Sequence, residues 1–441
     1  MTFDLILREG RIAGGDGGPV DIGVRDGRIA AIGPRLQPAQ PGLREIALDG
    51  RLLVPGFVET HIHLDKACIS DRCTCRTGTL KEAIEAVAAA KRLFTEDDIY
   101  QRARRTLEKA IVQGTTRMRC HVEVDPRIGL NGFRAISALK RDYAWAVEIE
   151  ICAFPQEGLL NDPGCDALLV EACEGGADLI GGCPYTDSDP HGQIARIFDL
   201  ARRFDLDIDF HLDFDLDPSW MHLDEVCRQS DAHKWGGRVA LGHVTKLSAL
   251  EPSSLQRIGA RLADAGVAIT VLPSTDLFLM GRGIEHSVPR GVAPAHLLRE
   301  QGVTCSLATN NVLNPFTPFG DCSLLRMANL YANVAQLGQG GDLDACFDMI
   351  TAMAARLVNL TDYGIAVGNP ADLIVLDCAD RMSAVAELAQ PILGVKRGRV
   401  SFSHPSALIN WPVPSLNLAS EDLPVCPMAG PAMPARKPPS G

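Results

Sequence analysis

The chain has no apolar run long enough to cross a bilayer, no cluster of lysine and arginine, and no second close cysteine pair to match Cys73 and Cys75. The first absence makes a water-soluble protein the expectation, because a spanning helix needs about 20 consecutive apolar residues. The second argues against a nucleic-acid surface, since phosphate backbones are held by basic patches, and the net charge of −12 points the same way. The third removes a zinc ribbon, which needs two thiolate pairs. Fourteen cysteines remain. They are scattered, and Asp4, Arg8 and Glu9 break up the N-terminus where a signal peptide would lie. Free thiols in a reducing cytoplasm are expected.

What is present is ordinary globular composition, 46% hydrophobic and 22% charged over 441 residues. One large domain and a smaller one are the natural division. Residues 1–54 read as short strands with tight turns, including 3–7, 20–24, 28–32 and 51–54. The signal returns at 372–376, 392–396 and 400–402. The two ends are therefore expected to pair into one small β-sandwich, made of 1–54 and 365–415. The middle, 55–364, alternates strand and helix. Apolar runs at 115–124, 147–154, 177–183, 207–213, 238–244, 267–272 and 302–309 join the run into His63 to make eight. Eight strand–helix units predict a (β/α)₈ barrel of the TIM type, with chemistry at the C-terminal ends of its strands. Helices are expected over 80–93 and 220–228, and Thr95 should cap a helix that Gly114 closes. The Pro- and Ala-rich residues 416–441 leave little material for a core.

The polar residues test the barrel from within the sequence. His61 and His63 end the first strand, one residue apart, so the two-residue period turns both rings to one side. His121 and Glu123 end the second strand, His211 the fifth and His243 the sixth, and Asn310 and Asn311 follow the eighth. A lone histidine is most simply a packed core residue. Five of the eleven at one rim are better explained as a site for a divalent ion, zinc or iron. Asp213, Asp215 and Asp217 flank Phe214. Two of these three acids are expected to be loop and capping residues, and Asp213 is kept as a catalytic candidate. Asp65 is expected to orient its strand.

These motifs resemble those of the amidohydrolase superfamily, in particular its cytosine-deaminase-like branch. The resemblance rests on VPGFVETHIHLDKA (54–67), CHVEVD (120–125), AFPQEG (153–158), DFHLD (209–213), GHVT (242–245), NPFTPFG (314–320) and DYGIAVGNPADLIVLD (362–377). It implies a metal-dependent hydrolase of C–N bonds in nitrogen heterocycles, with one metal held by His61, His63 and His211. It also implies that His243 polarises substrate or water and that Gln156 pairs with the amide edge of a ring. Asn311 and Phe316 join Gln156 and Phe214 as expected substrate-binding residues. Two positions depart from the pattern. Phe214 stands where such deaminases have a proton-shuttling glutamate. Asn310 stands where they have a metal-binding, proton-accepting aspartate, and its amide can offer a ligand oxygen but no base. Lys66 follows the metal motif, whereas a carboxylated bridging lysine would lie on the fourth strand, which ends in Gly182-Cys183-Pro184. A single ion follows from this. The expected protein is a cytoplasmic homo-oligomer acting on a small heterocyclic substrate such as a pyrimidine or triazine. The alternatives are an N-dealkylating amidohydrolase and a ligand-binding protein that has lost its chemistry. Retention of the three histidines together with His243 favours an enzyme.

Overall fold

The chain enters through five short strands: β1 (Leu5–Ile12), β2 (Val20–Arg25), β3 (Arg28–Gly33), β4 (Arg44–Ala47) and β5 (Leu52–Pro55). The computed structural model describes residues 2–14, 18–37, 43–405, 407 and 409, and every element below lies within the unit Met1–His404. Three strands from the other end, β14 (Leu373–Leu376), β15 (Pro391–Lys396) and β16 (Arg399–Ser403), complete the sheet. β14 lies antiparallel to β5, so the path runs β16-β15-β14-β5-β1-β2-β3, with β4 beside β1. Alternation places Leu5, Leu7, Ile22, Val24 and Leu53 in one small core with Leu373, Val375 and Val395 from the far end. The predicted union of the two chain ends is therefore present.

The barrel strands are β6 (Phe57–Ile62), β7 (Thr115–Glu123), β8 (Glu148–Phe154), β9 (Leu179–Gly182), β10 (Asp207–Leu212), β11 (Val239–His243), β12 (Val267–Val271) and β13 (Cys305–Leu307). Neighbours are parallel throughout, with helices between them. This is the TIM-type barrel expected from the apolar runs. The gap between β13 and β6 is closed by backbone bonds at the rim: Asn310 N donates to His61 O, and His63 N donates to Asn310 O, each 2.9 Å. The buried Glu59 carboxylate adds to this closure by accepting from Thr309 N at 3.1 and 3.2 Å and from His61 N at 3.2 Å. The closure thus fixes the backbones of both histidines and of Asn310.

Helix boundaries differ from expectation in places. The 80–93 segment is an α-helix over Leu80–Ala90 followed by a 3₁₀ turn, Lys91–Leu93. Thr95 caps Glu96–Val112 by accepting from Asp98 N, but the C-cap is Gln113. Gly114 follows it at φ +93, the left-handed position that glycine takes without steric cost. The helix expected over 220–228 instead runs Leu223–His233, because the Asp213 carboxylate accepts from His222 N and Leu223 N and sets its first turn there. Residues 416–441 lie outside the described residues.

Gly56 joins sheet to barrel. A Cβ there would lie 2.1 Å from Thr116 Oγ1. Gly56→Ala should therefore lower stability by about 1–3 kcal/mol through overpacking. Metal content should stay unchanged, since Gly56 precedes β6, whose other end carries the histidines. Denaturant melts with elemental analysis check both, and an unchanged melt would contradict the packing argument.

Candidate metal centre

Period-two alternation builds the centre from three strands. From β6 and the residue after it come His61 and His63. Arg119, His121 and Glu123 come from one side of β7, and Asp209 and His211 from one side of β10. His61 Nε2 and His63 Nε2 each lie 3.1 Å from His211 Nε2. Nitrogens bound at about 2.0–2.1 Å to one ion stand roughly 3.0–3.5 Å apart, so the spacing fits a shared metal. Ring stacking holds the arrangement: His61 on His121 at 3.7 Å between centroids, and His211 on Phe154 at 4.6 Å. Gly242 makes room, since a Cβ there would stand 2.9 Å from His61 Cε1.

Burial pushes His61, His63 and His211 well below the usual imidazole range, reinforced by repulsion from neighbouring histidines and, at His63, first from Lys66. They are neutral donors, as a divalent ion requires. Their Nδ1 atoms and Asn310 Oδ1 are buried without a hydrogen-bond partner among the described residues. Asp209 Oδ1 lies 3.8 Å from His61 Nδ1 and 3.4 Å from His121 Nε2, while Arg119 Nη1 donates to Asp209 Oδ2 at 2.9 Å. Burial opposes ionisation of Asp209, but His121 and Arg119 outweigh it and keep the carboxyl below its ordinary range. A carboxylate facing the second nitrogen of a ligand histidine is the usual support of a metal site. The donor set therefore fits a divalent ion. His121 enlarges it, because donor atoms of His61, His121 and His211 all lie within 4.8 Å of one another.

The remaining expected residues lie around this centre. His243 is buried at the end of β11, its ring stacked under Phe214 at 3.6 Å. Its Nδ1 is 2.6 Å from Asp276 Oδ1, and its Nε2 is 3.5 Å from Asn310 Nδ2. Gln156 Oε1 accepts from Lys66 Nζ at 3.0 Å, and its Nε2 donates to Cys183 Sγ at 3.4 Å. Phe316 lies against the Lys66 ammonium, 4.5 Å from ring centre to Nζ. Asn311 Oδ1 accepts from Asn314 Nδ2 at 2.7 Å. Asp213 is not brought into the histidine cluster by any contact: both its oxygens serve the helix start. Asp65 orients, as expected, by accepting from Lys66 N and Glu123 N.

Sequence reasoning missed a buried ionic layer beside the histidines. Lys66 Nζ donates to Glu123 Oε1 at 2.7 Å. Lys91 Nζ reaches Glu123 at 2.7 Å, Asp125 at 2.6 Å and Glu157 at 2.7 Å. The three carboxylates could chelate an ion, but the ammonium already fills the space between them. Burial opposes the charge on Glu123, yet Lys66 and Lys91 bring it down to about 2. Burial and repulsion from Glu123 raise Glu157 to about 7 against the pull of Lys91. Glu123 is placed at the rim with His121 by the alternation, but without its partners. Nothing in the local sequence of Lys91 or Asp276 pointed to the site.

Among known proteins, the model of the amidohydrolase family matches residues 133–402. The chain is similar to 5-methylcytosine deaminase from Klebsiella pneumoniae, solved with 5-fluorocytosine. Identity is 28% and the TM-score 0.87, covering 92% of this chain and 99% of that one. It is also similar to N-isopropylammelide isopropylaminohydrolase from Burkholderia multivorans, at 29% identity and TM-score 0.79 over 91% and 98% of the two chains. N-isopropylammelide isopropyl amidohydrolase from Pseudomonas sp. (strain ADP) is 26% identical over 407 residues, 90% of this chain and 97% of the relative.

Two variants probe the centre. Gly242→Ala should displace the His61 ring and lower bound metal, read by elemental analysis; undiminished metal would contradict the contact. Lys91→Met should destabilise by about 3–5 kcal/mol at pH 8, the cost of leaving buried charge unpaired. Glu157 sets the pH dependence. Its folded value of about 7 lies above the unfolded one near ~4.3, so its contribution is full below the unfolded value and is lost as pH rises through 7. Without Lys91 that loss deepens, so the variant should recover part of its stability toward pH 5. Equal destabilisation at both pH values in urea melts would refute this account.

Proposed function

From the premise that this chain belongs to the amidohydrolase family, we propose that it hydrolyses a C–N bond of a small cyclic amide or amidine of pyrimidine or triazine type. The observation that carries the reading is the meeting of three neutral imidazoles, with His61 and His63 each 3.1 Å from His211, beside the stacked and anchored His243. The names of the similar proteins, a 5-methylcytosine deaminase and two N-isopropylammelide hydrolases, support a heterocyclic substrate.

One divalent ion, zinc or iron, would be held by His61, His63 and His211, with Asn310 Oδ1 as a neutral fourth donor. When bound, it would supply Lewis-acid polarisation of the attacked carbon's substituent and acidify water. The chain's own residues do the rest. His243 Nε2 takes the proton of the attacking water as its oxygen bonds to the ring carbon. The same proton passes to the departing nitrogen as the C–N bond breaks, so atoms and charge balance without a redox step. Phe214 holds the imidazole plane and excludes water from one face. Gln156 pairs with the amide edge of the ring by giving up its weak Cys183 contact, and Lys66 holds its carbonyl in place. Asn311 and Phe316 shape the wall around Lys66. Asp213 is reassigned to helix capping. No described helix is long and apolar enough to cross a membrane, and the described cysteines are all free thiols. A cytoplasmic location and a homo-oligomeric state belong to this proposal as expectations.

A second reading, release of an alkylamine rather than ammonia, is favoured by the isopropylammelide hydrolases among the relatives. One screen separates the two: the purified chain, its metal identified by elemental analysis, is given amino- and alkylamino-substituted pyrimidines and triazines, and ammonia and amine are quantified. Activity should vanish on chelation and return with zinc or iron. Release from no compound, with metal bound, would overturn the proposal. With an active substrate in hand, Gln156→Ala should raise KM about tenfold or more, the loss expected when a polar ring edge goes unpaired. An unchanged KM removes Gln156 from the substrate site.

A further inference from the structure

Both acid–base side chains that the resemblance calls for are missing, at Phe214 and Asn310, yet a buried carboxylate touches the same histidine from its other end. Asp276 lies in the helix Pro273–Leu279 that follows β12, far from any motif in the sequence. It is fully buried. Its Oδ1 is 2.6 Å from His243 Nδ1, and its Oδ2 accepts from Leu272 N at 3.2 Å.

Donor and acceptor roles now run in one direction. Burial raises the Asp276 carboxyl, and the 2.6 Å contact with the imidazole opposes that rise; held as a carboxylate it only accepts, so Nδ1 of His243 carries the hydrogen. In the neutral ring Nε2 is then the acceptor. Facing it at 3.5 Å is Nδ2 of Asn310, an amide donor. With its NH₂ group turned to His243, Asn310 keeps Oδ1 without a hydrogen-bond partner among the described residues. The backbone of Asn310 is held by His61 O and His63 N, so the amide has little freedom except rotation about its own axis. An aspartate at 310 could not donate to Nε2. Asparagine at 310 is thus the residue that matches a histidine anchored by Asp276.

We infer that Asp276 is a positioning residue that holds His243 with its hydrogen on Nδ1 and Nε2 as the acceptor, and that Asn310 is its matched partner, so that the carboxylate missing at 310 has its counterpart at 276. This rests on the hydrolase reading above, since it assigns Nε2 as the acceptor in that site.

Asp276→Asn tests the direction of the chain. Leu272 N requires an acceptor from residue 276, so the new carbonyl should turn to Leu272 and the new NH₂ to His243 Nδ1. The imidazole hydrogen must then move to Nε2, where it meets the Asn310 NH₂ group. The further change Asn310→Asp replaces that donor with an acceptor and gives a consistent chain running the other way. The measurement is ¹⁵N NMR of the ring nitrogens in zinc-loaded, histidine-labelled full-length protein, with His243 identified by its loss in His243→Gln. The wild type should give the Nδ1–H form and Asp276→Asn the Nε2–H form. The melting temperature of the double variant should exceed that of Asp276→Asn, although Asn310→Asp alone lowers it. On an active substrate, Asp276→Asn should lower kcat by about 10²–10⁴ with KM little changed, the usual range for a lost proton-transfer group. A wild-type ring with hydrogen on Nε2 or on both nitrogens overturns the inference. So does an unchanged tautomer in Asp276→Asn, or a double variant no more stable than the sum of the singles. The tautomer needs no substrate. If no heterocycle is turned over, the hydrolase reading fails while Asp276 is still decided. If turnover is found with the tautomer unmoved, only Asp276 falls.

Discussion

Everything at this rim depends on taking imidazoles out of water. His61, His63, His121, His211 and His243 are all buried among one another. Charging several of them together would cost desolvation and mutual repulsion at once. Burial and repulsion push His61, His63 and His211 well below the ordinary range, so the site presents lone pairs rather than protons. Lone pairs crowded at 3.1 Å are themselves unfavourable without a cation between them. The fold thereby prepares a place whose natural occupant is a divalent ion, and the barrel closure through Asn310 and Glu59 fixes the backbone from which two of the donors hang.

The ionic layer at the ends of β7 and β8 follows from the same constraint. An unpaired cation would repel any ion held by the neutral imidazoles, and the charges of Lys66 and Lys91 are paired nearby. Glu123 is bonded to both, and Asp125 and Glu157 complete the shell around Lys91. A buried group of this kind contributes little net stability, because desolvation cancels most of the attraction. Its value is geometric. Asp65 accepts from the backbone of Lys66 and Glu123, so the chain leaving the metal motif is tied to β7. Lys66 in turn fixes the oxygen of Gln156. Gln156, Lys66, Glu123 and the chain that follows His63 are therefore parts of one hydrogen-bonded body.

Much of this was legible in the sequence, and the reason is periodicity. Strands of a parallel barrel are buried on both faces and read as apolar runs, and their chemistry falls at the ends of those runs. That located His61, His63, His121, His211, His243 and Asn310 without coordinates. The same alternation put Glu123 at the rim beside His121, and it runs through Asp209 beside His211, which was not singled out. It failed where a residue reaches the site from a helix. Asp276 sits one turn into a seven-residue helix, and Lys91 sits in a 3₁₀ turn. Nothing in their neighbouring residues distinguishes them from surface charges. Asp213 differs from the parity expectation for the opposite reason: it lies two residues after His211, but a positive φ of +48 follows the end of the strand and its carboxylate accepts from the first turn of the next helix. Parity predicts facing only while the backbone stays extended.

The departures at 214 and 310 illustrate a more general point about reading active sites by position. A side chain's role is defined by the atoms opposite it, and those can exchange partners along a hydrogen-bonded chain. Phe214 contributes no proton, but its ring lies 3.6 Å from that of His243 and removes one face of the imidazole from competition by water. Asn310 contributes no charge, but its NH₂ suits a histidine whose other nitrogen is already bound to a carboxylate. The two positions are therefore consistent with each other and with Asp276, whereas either one judged alone reads as a loss. Consistency among mutually dependent polar groups is hard to retain by drift, because one unmatched buried donor or acceptor costs about 1–3 kcal/mol. A barrel that had abandoned chemistry would have no reason to keep His243 satisfied at both nitrogens while leaving Asn310 Oδ1 buried and unpartnered beside three converging imidazoles. That unpaired oxygen is the strongest physical sign that the site remains built for an ion.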